Sequence, residues 1–218
     1  MERTSNIHKR KRYIFVIFLS IILLGIIVGF RIWDVNHQIE LPEVETYEIG
    51  EFVDLGSNIF LEEYEAANGY QVRVNSATLV TFEEFLEKHS LNADEVIKVE
   101  GNMDKLPDYI YDLNVTFVNT NVRENGCGIN LENYCIYANN FSISIDAELY
   151  SFANAEKKST SMMFSLQPES ELDFCLPFAV VTSANNSYLS KEILQEQDLY
   201  LYVSLYPVQN QIKIYSKE

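Results

Sequence analysis

The sequence predicts a mainly β protein: an antiparallel, immunoglobulin-like β-sandwich with one or two short helices, preceded by a single N-terminal transmembrane helix. Three observations support this fold class. One long apolar segment lies near the N-terminus. Beyond it, several short stretches alternate apolar and polar side chains, which is typical of half-buried strands. Turn-forming residues separate these stretches at intervals expected of a sandwich, and there is no βαβ alternation.

The apolar segment is long enough to cross a membrane. No charged residue lies between Arg12 and Arg31. The most apolar part, residues 14–30, would cover roughly 25 Å as a helix, against about 30 Å for the hydrocarbon core. Tyr13 and Trp33 extend it at both ends and favour the membrane–water interface. We therefore predict that the chain contacts the lipid bilayer through a transmembrane segment at residues 13–33.

The length and flanking residues of this segment predict an uncleaved signal anchor. Its apolar part exceeds the 7–15 residues of a signal peptide, and the following residues, GIIVGFRIWD, contain no Ala-x-Ala-like cleavage site. The alternative is a signal peptide cut near Gly29. In either case the positive-inside rule places the basic residues 1–12 in the cytoplasm and exports the rest. The expected location is the cell membrane, with a single pass and an extracellular C-terminal domain.

Charge is divided sharply along the chain. Six of the 16 basic residues and one of the 32 acidic residues lie in the first 31 positions. The remainder therefore has 10 basic and 31 acidic residues, a net charge of −21. Such a surface argues against nucleic acid as a partner. It permits attraction to cationic peptides, although solubility and repulsion from an anionic envelope also account for it.

The exported part is predicted to be a stalk followed by one domain. Residues 34–46, DVNHQIELPEVET, are polar, contain Pro42 and show no regular apolar period, which is typical of a stalk. Residues 47–218 suffice for one domain with a hydrophobic core, but not comfortably for two. We assign the immunoglobulin-like sandwich to these residues.

The strand patterns vary in clarity. In Asp108–Asn121, alternate apolar side chains share one face and polar side chains, Asp112 among them, take the other. In Gly69–Val80 the alternation changes register after Val74. Further strands are predicted at Asn133–Asp146 (two short strands and a turn), Ser161–Leu166, Leu172–Val181, Leu199–Val208 and Gln211–Ser216.

Helix signals are few. Thr81 and Glu84 have the spacing of a capping box, and the residues after Thr81 place an apolar stripe on one helical face. Two further turns of helix are predicted within residues Leu189–Asp198. Residues Asp146–Ala155 are ambiguous between helix and loop.

The three cysteines permit one disulfide. Cys127 and Cys135 are eight residues apart in CGINLENYC, and a hairpin there would bring them together. Sequence alone does not give the Cα separation that a bridge requires, so two unpaired thiols are the alternative. Cys175 lies in an apolar strand and is expected to be a buried free thiol.

Catalytic and metal-binding motifs are absent from the sequence. Among the three histidines only His89 falls in the predicted domain, at the end of a charged helix, where a structural or solvated role is expected. Nothing in the sequence places His89 beside Cys127, Cys135 or Cys175. No His-Glu-x-x-His, Cys-x-x-Cys or Gly-x-Ser-x-Gly motif occurs. We therefore predict no catalytic, cofactor-binding or metal-binding residues and no cofactor.

The transmembrane segment contains one packing motif. Gly25 and Gly29 form a Gly-x-x-x-Gly pair, which allows two membrane helices to approach closely. We note these two glycines as possible helix-pairing residues.

The order of features resembles a family. An N-terminal anchor precedes YEIGEFVDLG, GYQVRVNSATLVTFEEFLEK, IYDLNVTFVNTN, LQPESELDFCLPFAV and the closing LYLYVSLYPVQNQIKIYS. This order is similar to uncharacterised, membrane-anchored immunoglobulin-like surface proteins of Gram-positive bacteria, in domain-of-unknown-function families. The similarity runs from Tyr47 to the end. These families have no established catalytic residues to carry over.

The expected function is that of a membrane-anchored extracytoplasmic binding or accessory module without catalytic activity. Its partner is an unknown protein or peptide, and a cationic peptide is one candidate. Two alternatives stay open. One is an envelope enzyme that uses Cys175 or Cys127 as a nucleophile. The other is an assembly component of a membrane complex that acts through its transmembrane helix.

Overall fold

The computed structural model describes residues 2–38, 42–100, 106–156, 161–181 and 190–215. The chain forms two compact units, Met1–Leu41 and Pro42–Glu218. The described residues of the first unit form helix α1 (Glu2–Gln38). Its part from Phe15 to Asn36, 22 residues, is long and apolar enough to cross a membrane, and its large apolar side chains are exposed.

The second unit is built mainly from strands. They are β1 (Glu43–Glu48), β2 (Val53–Asp54), β3 (Tyr70–Thr81), β4 (Tyr109–Asn119), β5 (Ile129–Asn130), β6 (Cys135–Tyr137), β7 (Ser142–Ser144), β8 (Met163–Phe164), β9 (Ser170–Val180), β10 (Leu199–Tyr202) and β11 (Val208–Tyr215). One sheet has the order β1-β11-β10-β6-β7 and a second has the order β2-β3-β4-β9, while β5 and β8 form a separate pair.

The prediction of a mainly β domain with antiparallel sheets is confirmed, with one exception to the strand direction. Strand β1 runs parallel to β11, with Glu43 opposite Val208. Residues 43–46 therefore belong to the sheet, although the sequence predicted that the stalk would continue to residue 46. The apolar period was missing because β1 is an edge strand and almost all of its side chains are exposed.

The two sheets share one hydrophobic core. Buried side chains from β3 and β4 meet those from β6, β10 and β11, and all belong to one contiguous cluster. Strand β3 changes register between Val74 and Ser76, which agrees with the shift predicted after Val74. The irregularity is a bulge, and it returns Ala77 and Leu79 to the core side of the sheet.

The described residues of this unit contain more helices than the one or two expected. They are a 3₁₀ turn (Glu63–Glu65), α2 (Phe82–Lys88), α3 (Ala93–Glu100), α4 (Ala147–Ala153) and α5 (Lys191–Gln195). The predicted capping box is present at α2: the Thr81 side chain accepts from the backbone N–H of Glu84, and the Glu84 carboxylate accepts from the backbone N–H of Thr81.

Helices α2, α3 and α4 cover the outer face of the second sheet. The sequence predicted that β4 would be buried on one face only, but Asp112 and Thr116 on its polar face are each 2% exposed. A second hydrophobic cluster lies on that side. It consists of Phe82, Phe85, Leu86, Val96, Ile110, Leu149 and Cys175. The unit therefore has a core between two sheets and helices packed over one of them. As a result, the face of β4 that points away from the core between the sheets is also buried.

Candidate functional site

A thiol, a carboxylate and an imidazole meet on this covered face. Cys175 Sγ donates to Asp112 Oδ1 at 3.0 Å, and His89 Nε2 lies 3.0 Å from Asp112 Oδ2. The sulfur is also 3.6 Å from His89 Nε2. Asp112 and Cys175 are buried, and the His89 side chain is 17% exposed. We refer to His89, Asp112 and Cys175 as the Cys-His-Asp cluster.

Strand pairing places two members of the cluster together. In the β4–β9 ladder Cys175 is opposite Asn114 and Pro177 is opposite Asp112. Because side chains two residues apart share a face, Asp112 and Cys175 are diagonal neighbours on the outer face of the sheet.

Helix α2 supplies the imidazole. His89 is the C-cap residue of α2, and its backbone N–H donates to Phe85 O at 3.1 Å. The His89 ring also packs against the buried ring of Phe85, with a centroid distance of 4.6 Å. The capping box at Thr81 starts this short helix at the end of β3, so the position of His89 follows from the point where the strand ends.

The buried carboxylate is kept ionised by its partners. Burial alone would raise the pKa of Asp112, but hydrogen bonds from His89, Lys88 and Cys175 outweigh it and lower the pKa from 3.8 to about 2. The Lys88 ammonium lies 2.6 Å from Asp112 Oδ2, and the Lys88 side chain is 48% exposed.

The Cys175 thiol contacts both of the other groups in the cluster. In cysteine-dependent catalysis the imidazole takes the thiol proton and a third group orients the imidazole. Here the carboxylate accepts the thiol hydrogen bond, the imidazole nitrogen lies 3.6 Å from the sulfur, and Cys175 is only 6% exposed. The geometry also brings sulfur, nitrogen and oxygen donors close together, which is chemistry typical of metal binding.

From the sequence, a structural or solvated role is expected for His89, and Asp112 is one polar residue of a strand among others. In the sequence, Asp112 lies 23 positions after His89 and 63 positions before Cys175, so His89 and Cys175 are 86 positions apart. The signal available was an acidic residue on the outer face of a long strand, together with the histidine of a helix that directly follows the neighbouring strand. These residues can be recognised as neighbours only when the strand order β3-β4-β9 is known.

The predicted disulfide between Cys127 and Cys135 is not formed, and both are free cysteines. The expected hairpin between them is absent because β5, which follows Cys127, pairs with β8, whereas β6 begins at Cys135 and pairs with β7 and β10. The Cys135 sulfur instead lies 3.6 Å from Ser144 Oγ. Cys175 is buried and forms no disulfide, as expected.

A second candidate region is a groove on the first sheet. It has a volume of about 370 Å³. Tyr137 of β6 and Tyr202 of β10 stack within it, with their centroids 4.2 Å apart. The other residues lining it are Ala138, Asn139, Glu196, Gln197, Asp198, Tyr200 and Gln211. We call these nine residues the tyrosine groove.

Two other predicted features lie in different places. Gly25 and Gly29 are in α1, with open space around both Cα atoms, so helix pairing there stays a prediction. Loops at one end of the predicted sandwich, residues 119–128 and 184–190, are expected from the sequence to carry contacts. Residues 119–128 are described, whereas residues 184–189 lie outside the described residues.

The fold defines a β-rich domain of two sheets, with helices over one of them, that follows an apolar N-terminal helix. The chain belongs to the family described as Domain of unknown function (DUF5028), which matches residues 44–210. No curated protein and no solved structure matches the chain. The family match begins in β1 and ends in β11, so it contains all three residues of the Cys-His-Asp cluster and eight of the nine in the tyrosine groove, Gln211 lying one position beyond it. The predicted resemblance to a domain-of-unknown-function family is confirmed.

Proposed function

We propose that this protein is a non-catalytic binding module, anchored in the membrane by α1, that captures a cationic peptide or a partner presenting lysine or arginine side chains. The tyrosine groove carries the proposal. It combines aromatic rings and carboxylates, the two kinds of group that attract a desolvated cation.

The groove presents its aromatic and acidic groups on a rigid base. In the β6–β10 ladder Tyr200 is opposite Tyr137 and Tyr202 is opposite Cys135, so Tyr137 and Tyr202 are diagonal neighbours whose positions the strands set. Glu196, at the C-cap of α5, and Asp198 bring carboxylates to the rim, and Glu196 is exposed. Lys213 Nζ lies 3.6 Å from Asp198 Oδ1, so a cation in the groove would share or replace an existing ion pair.

The long-range charge supports the same partner. With a net charge of −21 over residues 32–218, the protein attracts cations and repels anions over a Debye length of about 8–10 Å at physiological salt. Such steering raises the rate of association with a cationic ligand, and the groove would supply the short-range contacts.

The location follows from the helix and its flanking charges. Residues 1–12 are basic and precede a helix of sufficient length, so we propose a cytoplasmic N-terminus and an extracytoplasmic domain. Protease added to intact cells should digest the domain and leave a fragment containing α1. Full protection of the domain in intact cells, with digestion after lysis, would contradict this orientation.

We also propose that the domain is immunoglobulin-like. The order β11-β10-β6-β7 matches the G-F-C-C′ order of a variable-type sheet: the last two strands are adjacent and the hairpin from the middle of the chain lies next to them. An experimental structure with a different strand order would exclude this assignment.

Binding is tested with the full-length protein in detergent micelles. Calorimetry would compare a lysine- and arginine-rich peptide with an acidic peptide of equal length, at low and at physiological salt. We expect binding of the cationic peptide only, weakened by salt. The paired variant Tyr202→Ala with Glu196→Gln should reduce affinity at least tenfold.

The matched control for charge is Glu83→Gln, which removes an exposed carboxylate on α2, outside the groove. It should change the affinity by less than a factor of two. Equal losses in Glu83→Gln and in the groove variant would show that net charge alone attracts the peptide. Absence of binding to any cationic peptide at low salt would overturn the proposed ligand class.

A further inference from the structure

We infer that the Cys-His-Asp cluster is a binding site for one divalent transition-metal ion of the zinc class, held by Cys175 Sγ, His89 Nε2 and one carboxylate oxygen of Asp112. This site is on the helix-covered face of the second sheet and is independent of the tyrosine groove. No part of the proposed peptide binding requires it.

The distances between donor atoms are close to those of a tetrahedral zinc centre. Zinc lies about 2.0–2.1 Å from nitrogen or oxygen and about 2.3 Å from sulfur, so neighbouring donors in a tetrahedron are about 3.3–3.6 Å apart. In the structure His89 Nε2 lies 3.0 Å from Asp112 Oδ2, Cys175 Sγ lies 3.0 Å from Asp112 Oδ1, and the sulfur–nitrogen distance is 3.6 Å. With one oxygen taken as the carboxylate ligand, the three donor atoms all lie within 4.8 Å of one another, so a rotation of the side chains would bring them around one ion.

The donor set selects the class of metal. A thiolate and an imidazole favour zinc and related transition metals, whereas calcium and magnesium prefer oxygen donors only. Three protein ligands leave a fourth tetrahedral position open, and water would fill it. The partial exposure of His89 places that position near the edge of the covered face.

Binding would rearrange protons and one ion pair. The Cys175 thiol must release its proton to solvent, and the imidazole must present the lone pair of Nε2 to the ion. Lys88 Nζ now lies 2.6 Å from Asp112 Oδ2 and competes for the carboxylate. Because the Lys88 side chain is about half exposed, its ammonium group can turn into solvent when the ion arrives.

The rest of the cluster is held in place before an ion binds. Both backbone groups of Cys175 are hydrogen-bonded to the Asn154 side chain, and His89 packs on Phe85. Such support around the ligands reduces the ordering that metal binding requires.

The test uses full-length protein in micelles, freed of metal with a chelator and titrated with Zn²⁺ and, separately, with Co²⁺. We expect one ion per chain, a rise in melting temperature with Zn²⁺, and the absorption of a cobalt–thiolate bond with Co²⁺. Cys175→Ser and His89→Gln should each weaken binding at least tenfold and abolish or shift the cobalt spectrum.

Two variants distinguish a metal site from a purely structural network. Lys88→Met removes the competing cation at a half-exposed position, so it should bind Zn²⁺ as tightly as the wild type or several-fold more tightly. The control Cys127→Ser with Cys135→Ser should retain the cobalt–thiolate absorption. Failure of the folded wild type to bind Zn²⁺, or the loss of that absorption in the double control, would overturn the inference.

Discussion

The Asn154 side chain hydrogen-bonds both backbone groups of Cys175. Its Nδ2 donates to Cys175 O at 2.8 Å and its Oδ1 accepts from Cys175 N at 3.0 Å. Strand β9 is the last strand of its sheet, so these backbone groups have no neighbouring strand to bond. The fully buried Asn154, at the C-terminal end of α4, therefore takes the place of a strand residue and closes the sheet edge at the cluster.

We expect Asn154→Asp to be strongly destabilising, although the two side chains have the same shape. The change removes the Nδ2 donor from Tyr150 O and Cys175 O and buries a charge. The free energy of unfolding should fall by about 3 kcal/mol. Urea unfolding in micelles, followed by near-ultraviolet circular dichroism of the tyrosines, measures this change. Asn140→Asp, in the exposed turn after β6, is the control and should lose less than about 0.5 kcal/mol.

Asp112 should make stability depend on pH in the acid range. Its pKa is lowered from 3.8 to about 2 on folding, so the stabilisation is present above about pH 4 and is lost as pH falls toward 2. The contribution is about 2 kcal/mol. Unfolding free energies of wild type and Asp112→Asn, measured between pH 7 and pH 2, should differ most at neutral pH. A constant difference across this range would show that Asp112 has no lowered pKa.

Replacing Gly69 by alanine should cost more than the same change at Gly126. Both glycines have positive φ, so alanine is strained by about 1 kcal/mol at either position. At Gly69 the new Cβ would also overlap the Asn121 side chain, whereas no atom lies within 4 Å of that position at Gly126. Asn121 is held by hydrogen bonds to Asn68 O and Asn119 Oδ1.

Displacing Asn121 should add about 1–3 kcal/mol to the loss in Gly69→Ala. Urea unfolding of the two variants under identical conditions gives the comparison. Equal losses at the two positions would mean that Asn121 moves aside without cost.

Thiol labelling should separate the three cysteines. Cys127 and Cys135 are partly exposed and unpaired, whereas Cys175 is 6% exposed and hydrogen-bonded. We expect a maleimide to label two thiols per chain in the native protein and all three after unfolding, as counted by mass spectrometry. The variant Cys175→Ser should leave the native count at two. A native count of zero would instead indicate the disulfide that the sequence permits.

Features that depend on residues close together in the chain could be predicted from the sequence. The apolar segment defines α1, alternation defines β3 and β4, and Thr81 with Glu84 begins α2. Even the bulge after Val74 is visible as a change of register. These patterns can be recognised in the sequence because each extends over only a few positions. This holds for the periods of helices and strands and for the reach of a capping side chain.

Which of these elements contact one another could not be predicted from the sequence and became known from the three-dimensional fold. An exposed edge strand such as β1 has no apolar pattern, and its pairing with β11 joins residues about 165 positions apart. The Cys-His-Asp cluster exists because β9 lies beside β4 and α2 folds over both. Strand order and helix docking depend on the total apolar area that the fold buries, and no short stretch of sequence contains that quantity.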